Sequence, residues 1–112
     1  MSADKTFSSW EDAVAWLRQQ PDQFQLVADC YYDDPLIGAA DRYWHSEEWR
    51  VVRDRLAGRS GSALDVGAGR GIASYALARE GFSVTALEPD SSALVGAEAI
   101  RKLAAESGLP IQ

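Results

Sequence analysis

Leu64-Asp65-Val66-Gly67-Ala68-Gly69-Arg70-Gly71 places three glycines at alternate positions behind an acidic residue. Each glycine has a physical task. Gly67 lets the chain turn sharply where a side chain would restrict the dihedrals. Gly69 leaves the backbone bare for a ligand, and Gly71 allows the following helix to pack closely on the strand. A ligand at such a loop is expected to meet free backbone N–H groups at a helix N-terminus, which favour a carboxylate or phosphate. Glu88 follows at the end of the next apolar stretch, with Pro89 and Asp90 behind it. That offset is where a nucleotide-binding α/β unit sets an acid against ribose hydroxyls.

Other residue types capable of chemistry are isolated. His45 sits at a helix boundary, where a histidine is usually at the surface or structural and only seldom a general base. Tyr31 and Tyr32 are read first as packing aromatics, with cover for a cofactor or substrate as the second reading. Cys30 has no evident activating partner and reads as packing. No His/Cys/Asp/Glu spacing suggests a metal, and no catalytic residue is assigned.

These residues need elements to position them. Residues 1–58 read as a helical segment and residues 62–112 as a β-α-β-α unit, meeting at Gly58-Arg59-Ser60-Gly61-Ser62. Ser9 can cap a helix carrying Trp10, Ala13, Val14 and Leu17, stopped by Pro21. Phe24, Val27, Ala28 and Tyr31 mark a second helix, ended before Pro35. Leu36 to Trp44 reads as a third. Ser46 caps a fourth, with Trp49, Val52 and Leu56 on one face and Glu47 and Glu48 in its first turn. Beyond the linker, Ala63–Val66 and Ser83–Leu87 read as strands. A helix from Ile72 to Glu80 is expected between them, packing through Ala73, Ala76 and Leu77, with Gly81 past its end. Asp90 is expected to cap a last helix through Ala93, Leu94, Ala97, Ile100 and Leu103, ending near Gly108. Strand-helix alternation is the grammar of a parallel α/β sheet.

Composition narrows the function classes. The 112 residues carry 11 basic and 17 acidic side chains, a net charge of −6. That charge opposes a nucleic-acid backbone or an anionic membrane as direct partner. The single cysteine excludes an intrachain disulfide, no apolar run is long enough to span a bilayer, and the N-terminus lacks a signal-peptide pattern. The expectation is a cytoplasmic protein.

The nicotinamide and flavin fingerprint G-x-G-x-x-G/A fails here, because Ile72 occupies its third small position. Glycines at 67, 69 and 71 behind Asp65, with Glu88 after a second strand, instead resemble the first motifs of class I S-adenosylmethionine (SAM)-dependent methyltransferases. The resemblance covers Ser62 to about Gly108. It implies a Rossmann-like parallel sheet, here incomplete with two strands and preceded by an N-terminal helical segment. It also implies SAM as cofactor and a small-molecule acceptor as substrate. Gly67, Ala68 and Gly69 would line the methionine portion and Asp65 would help hold its amino group. Glu88 would take the ribose hydroxyls, with Pro89 and Asp90 near the adenine.

The later motifs of that family are absent, and Leu109-Pro110-Ile111-Gln112 stands where a third strand would begin. The chain therefore reads as a truncated gene product, a fragment or one piece of a split protein, with open strand edges prone to self-association. Two other classes stay open: a non-catalytic methyltransferase-like protein that binds SAM or a partner, and a fragment of an NAD-dependent oxidoreductase.

Overall fold

A computed structural model describes residues 5–112; residues 1–4, which carry part of the N-terminal signal reading, lie outside it. The described chain is mixed α/β, with six α-helices and two parallel strands. The helical half runs α1 (Trp10–Arg18), a 3-10 turn at Pro21–Gln23, α2 (Phe24–Asp29), α3 (Leu36–Trp44) and α4 (Glu47–Leu56). Then come β1 (Gly61–Val66), α5 (Ile72–Arg79), β2 (Phe82–Leu87) and α6 (Ala97–Ser107).

Local chemistry starts two helices where the sequence predicts. The Ser9 hydroxyl accepts from Asp12 N–H at 3.0 Å and the Ser46 hydroxyl from Trp49 N–H at 3.1 Å, each satisfying a donor that the first turn leaves orphaned. The second helix is shorter than expected. It ends at Asp29, and Tyr31 stands outside it at φ 60.

The strands pair in parallel with Ala63 opposite Val84 and Asp65 opposite Ala86. Both start earlier than the apolar runs suggest, because Gly61 pairs with Phe82 and ladder bonds need backbone, not apolar side chains. Beyond β2, Pro110–Gln112 runs alongside as the beginning of a further parallel pairing. Val84 N–H donates to Pro110 O at 2.8 Å and Gln112 N–H to Val84 O at 2.9 Å.

One sheet face is covered. Val84 and Phe82 are buried against Ala78 of α5, with Leu56, Leu109 and Ile111 around them. A second cluster joins Leu36 and Ala40 of α3 to Tyr75 of α5 and to Ala99 and Leu103 of α6. From the N-terminal segment α3 thus packs in the same layer as the crossover helices. Of the α5 face expected from sequence, Ala76 is fully buried while Ala73 and Leu77 are half-buried. Tyr75 and Ala78 are buried instead, because α5 is packed on two sides, by the sheet and by α3. The opposite sheet face is open: Leu64 is 60% exposed, Val66 72% and Leu87 49%.

The last helix corrects the sequence reading. It begins at Ala97 with Gly96 as its cap residue, so Asp90 does not cap it and Ala93 and Leu94 lie outside it. Asp90 organises the preceding loop: its carboxylate accepts from Ser92 N–H at 2.9 Å, and its carbonyl accepts from Ala97 N–H at 2.7 Å. A short polar side chain that bonds its own backbone two residues on favours a turn over a helix.

Candidate functional site

The loop after β1 wraps around the end of β2. Gly67 N–H and Ala68 N–H both donate to Leu87 O, at 2.8 and 3.0 Å, and Gly71 N–H donates to Ala68 O at 2.9 Å. Gly69 N–H donates to Glu88 Oε1 at 2.7 Å. These four N–H groups are each satisfied within the protein. Among the described residues the N–H groups of Arg70, Ile72, Ala73 and Ser74 have no partner, so the start of α5 keeps the free donors expected of a helix N-terminus.

Glu88 is half-buried, and its second oxygen accepts from Asp90 N–H at 2.9 Å. A carboxylate has about four acceptor sites, so two bonds leave it capacity for hydroxyl donors. Asp65, in β1, is half-buried, with Oδ2 accepting from the fully buried Ser74 hydroxyl at 2.7 Å. Ser74 is a site residue the sequence reading missed; a serine in the first turn of the helix behind the loop was its only signal. Pro89 is exposed and Asp90 half-buried at the head of the next loop. Asp65, Gly67, Ala68, Gly69, Gly71, Glu88, Pro89 and Asp90 thus all lie at the end of the strands where β1 and β2 finish.

Two glycines do different work there. Gly69 has φ 59, and a Cβ at that position would meet nothing within 4 Å, so the backbone faces open space. Gly71 has φ 88, and a Cβ would lie 3.2 Å from Ile100 Cγ1 and 3.4 Å from Leu103 Cδ2. The close approach is therefore to α6 and not to the strand, because α6 crosses the start of α5.

Arg70, between those glycines, is the largest omission of the sequence reading. It is only 5% exposed. Its guanidinium donates to the carbonyls of Tyr31 at 2.8 Å and Asp33 at 3.2 Å, and reaches Asp34 Oδ1 at 3.3 Å. Burial lowers its pKa, helped by the nearby Arg18 and opposed by Asp34 and Asp33. A long cation held between two turn glycines was the available clue.

The aromatic residues divide. The Tyr31 and Tyr43 rings meet edge to face at 5.1 Å, and Tyr43 lies 5.8 Å from Trp49. Burial raises the Tyr43 pKa, reinforced by the negative charge of Glu48, of Tyr31 when ionised, and of Asp65, which places this cluster within electrostatic reach of the strand end. Tyr32 instead accepts from Trp10 Nε1 at 3.1 Å. It borders a wholly apolar cleft of about 360 Å³ with Phe7, Trp10, Trp16, Leu26 and Cys30. Cys30 is exposed on that cleft, which corrects its reading as a packing residue. His45 is also exposed, its Nδ1 2.8 Å from the Asp41 carbonyl and 3.4 Å from the Asp41 carboxylate. Among the described residues no helix is long and apolar enough to cross a membrane.

These residues lie at the carboxyl ends of two parallel strands, the end at which open α/β sheets commonly bind nucleotides. No protein-family model matches the chain, and the comparisons with curated proteins and with solved structures return no match.

Proposed function

We propose that the chain carries the SAM-binding portion of a Rossmann-like, class I methyltransferase whose parent protein transfers a methyl group to a small-molecule acceptor in the cytoplasm. The observation that carries this reading is the 2.7 Å bond between Gly69 N–H and Glu88. It brings the glycine loop of one strand and the terminal acid of its parallel neighbour to a common point.

The residues present suit that ligand. Open space over Gly67 and Gly69 accommodates a methionine moiety lying against bare backbone. Asp65 is oriented by Ser74 and retains acceptor capacity for an ammonium group. Glu88 retains capacity for ribose hydroxyls, and Pro89 and Asp90 would lie on the adenine side. SAM carries a sulfonium and an ammonium, so carboxylates at 65, 88 and 90 favour it, whereas Glu88 would repel the 2′-phosphate of NADP. Bound there, SAM would supply an already activated methyl group. The protein's task would then be in-line positioning of an acceptor and exclusion of water, which can supply much of the rate without a catalytic side chain in this segment. Ile72 packs against the core cluster of α3, α5 and α6, so the third small residue of a nicotinamide fingerprint has no counterpart. The order β1, β2, then Pro110–Gln112 on one sheet supports the Rossmann-like assignment.

Isothermal titration with SAM, S-adenosylhomocysteine and NAD tests the reading, on the chain and on any longer polypeptide containing it. Binding of the two sulfur nucleosides without NAD supports it. Preference for NAD, or heat from none of the three in either form, overturns it. Methyl transfer by the SAM-binding form separates an enzyme from a non-catalytic binder.

A further inference from the structure

Three arginines from three elements converge on the Tyr31–Asp34 turn. Arg18 of α1 donates its Nε to Tyr32 O at 2.6 Å and pairs with Asp34 at 2.9 Å. Arg42 of α3 pairs with Asp33 at 2.8 Å and donates to Ala28 O at 2.9 Å. Arg70 reaches the same turn from inside the glycine loop, bonding Tyr31 O, Asp33 O and Asp34.

Two features mark this clamp as more than surface pairing. Tyr31 sits at φ 60, a conformation that costs energy for any residue with a side chain and persists only where the surroundings impose it. Arg70 Nε is buried without a partner among the described residues, so the guanidinium is held in place at the expense of an unsatisfied donor. By contrast α1 buries only Val14, and it meets the α/β half through this turn and through Glu11, whose Oε1 accepts from Leu94 N–H at 3.1 Å.

We propose that Arg70 is a positioning residue that couples docking of α1 and the Tyr31–Asp34 turn to the conformation of the glycine loop. With the Tyr31–Asp34 turn seated on its guanidinium, the Gly67–Gly71 backbone is held around the end of β2. Release of the turn frees the loop. The coupling concerns the loop itself; its consequence for ligand binding rests on the function proposed above.

Hydrogen exchange on the full chain tests this without ligand. Arg42→Met weakens the turn from the side away from the loop. In the Arg70 background it should speed exchange of the 67–71 amides by at least about twofold, the low end of couplings within one bonded network. In an Arg70→Met background the same substitution should leave those amides unchanged. Where Arg70→Met does not fold, Arg70→Lys serves, since it keeps the charge and loses the fork. Equal increments in both backgrounds, or none in Arg42→Met alone, overturn the coupling. Titration with SAM adds a second arm: Arg42→Met should weaken binding when Arg70 is present and have no effect when it is replaced. If neither the wild-type chain nor a longer polypeptide containing it binds SAM, the proposed function fails while the exchange measurement still decides the coupling.

Discussion

Glu88 Oε1 accepts the backbone N–H of Gly69 at 2.7 Å, so the acid that follows one strand holds the loop that follows its neighbour. Its other oxygen holds Asp90 N–H, which makes Glu88 a structural tie as well as a candidate ligand residue.

Glu88→Ala should therefore have two effects. Losing a charged acceptor costs about 1.5–3 kcal/mol, which predicts SAM binding weakened roughly tenfold or more. Exchange at Gly69 and Asp90 should also rise without ligand. Glu98→Ala is the matched control, because Glu98 is exposed and pairs only within its helix with Arg101. Unchanged titration curves for Glu88→Ala would remove it from the site.

Gly69 and Gly71 should fail differently when replaced by valine. Both have positive φ, which costs about 1–2 kcal/mol for a residue with a Cβ. Gly71→Val adds crowding against Ile100 and Leu103, typically about 1–3 kcal/mol more, so its melting temperature should fall further. Gly69→Val projects into open space and should abolish SAM binding while the fold survives. Normal SAM affinity in Gly69→Val would show that the loop does something else.

Gly96 lies outside the glycine loop, yet it leaves no room for a side chain. A Cβ there would lie 2.7 Å from the Asp90 carbonyl carbon and 2.8 Å from Ser92 N, both backbone atoms that cannot step aside. Gly96→Ala should destabilise by more than about 2 kcal/mol. Gly108→Ala, whose Cβ meets nothing within 4 Å, should lose only the smaller cost of its positive φ. Thermal melts of the two variants check the order.

Glu80 predicts an acid-dependent loss of stability. Its Oε2 accepts from Trp44 Nε1 at 2.7 Å, Trp49 Nε1 at 3.0 Å and Arg53 Nε at 2.6 Å. Burial opposes ionisation, but the bonds from Arg53, Trp49 and Trp44 prevail and its pKa lies below the ordinary glutamate value. A depressed folded-state pKa contributes stability above the unfolded value and loses it as pH falls through the folded one. Asp33 behaves alike: burial raises its pKa, yet the hydrogen bond from Arg42 and the charges of Arg42 and Arg70 lower it overall. Glu80→Gln should flatten the stability profile on the acid side. Glu80→Ala should cost about 1–3 kcal/mol at neutral pH by leaving buried donors without their acceptor. An unchanged acid profile in Glu80→Gln would assign the effect elsewhere.

The outer edge of β1 and the exposed Leu64, Val66 and Leu87 predict self-association. Parallel strands are normally covered on both faces, and an open edge pairs readily. The chain by itself should elute larger than a compact monomer and melt broadly, while Leu64→Lys should shift it towards monomer. A sharply melting monomer in light scattering would show that the helices suffice to protect the sheet.

Features set by a few neighbouring residues were legible in the sequence. Ser9 and Ser46 cap because each finds a first-turn N–H three residues on, and Leu36–Trp44 is helical because its apolar positions recur on one face. The glycine loop, its flanking parallel strands and the acid after the second strand follow from local propensity too. Tertiary structure decided what those residues touch. The sequence marks Glu80 only as the end of a helix, whereas in the fold two indoles and an arginine from α3 and α4 converge on it. Gly71 reads as close to a strand until α6 crosses it, and Asp90 reads as a helix cap until Gly96 leaves no room for a side chain over its carbonyl. Arg70 finds its acceptors on a turn nearly forty residues upstream. Periodicity and capping act within about one helical turn, whereas these partners are chosen by how helices stack on the sheet, and that is a property of the whole packed layer.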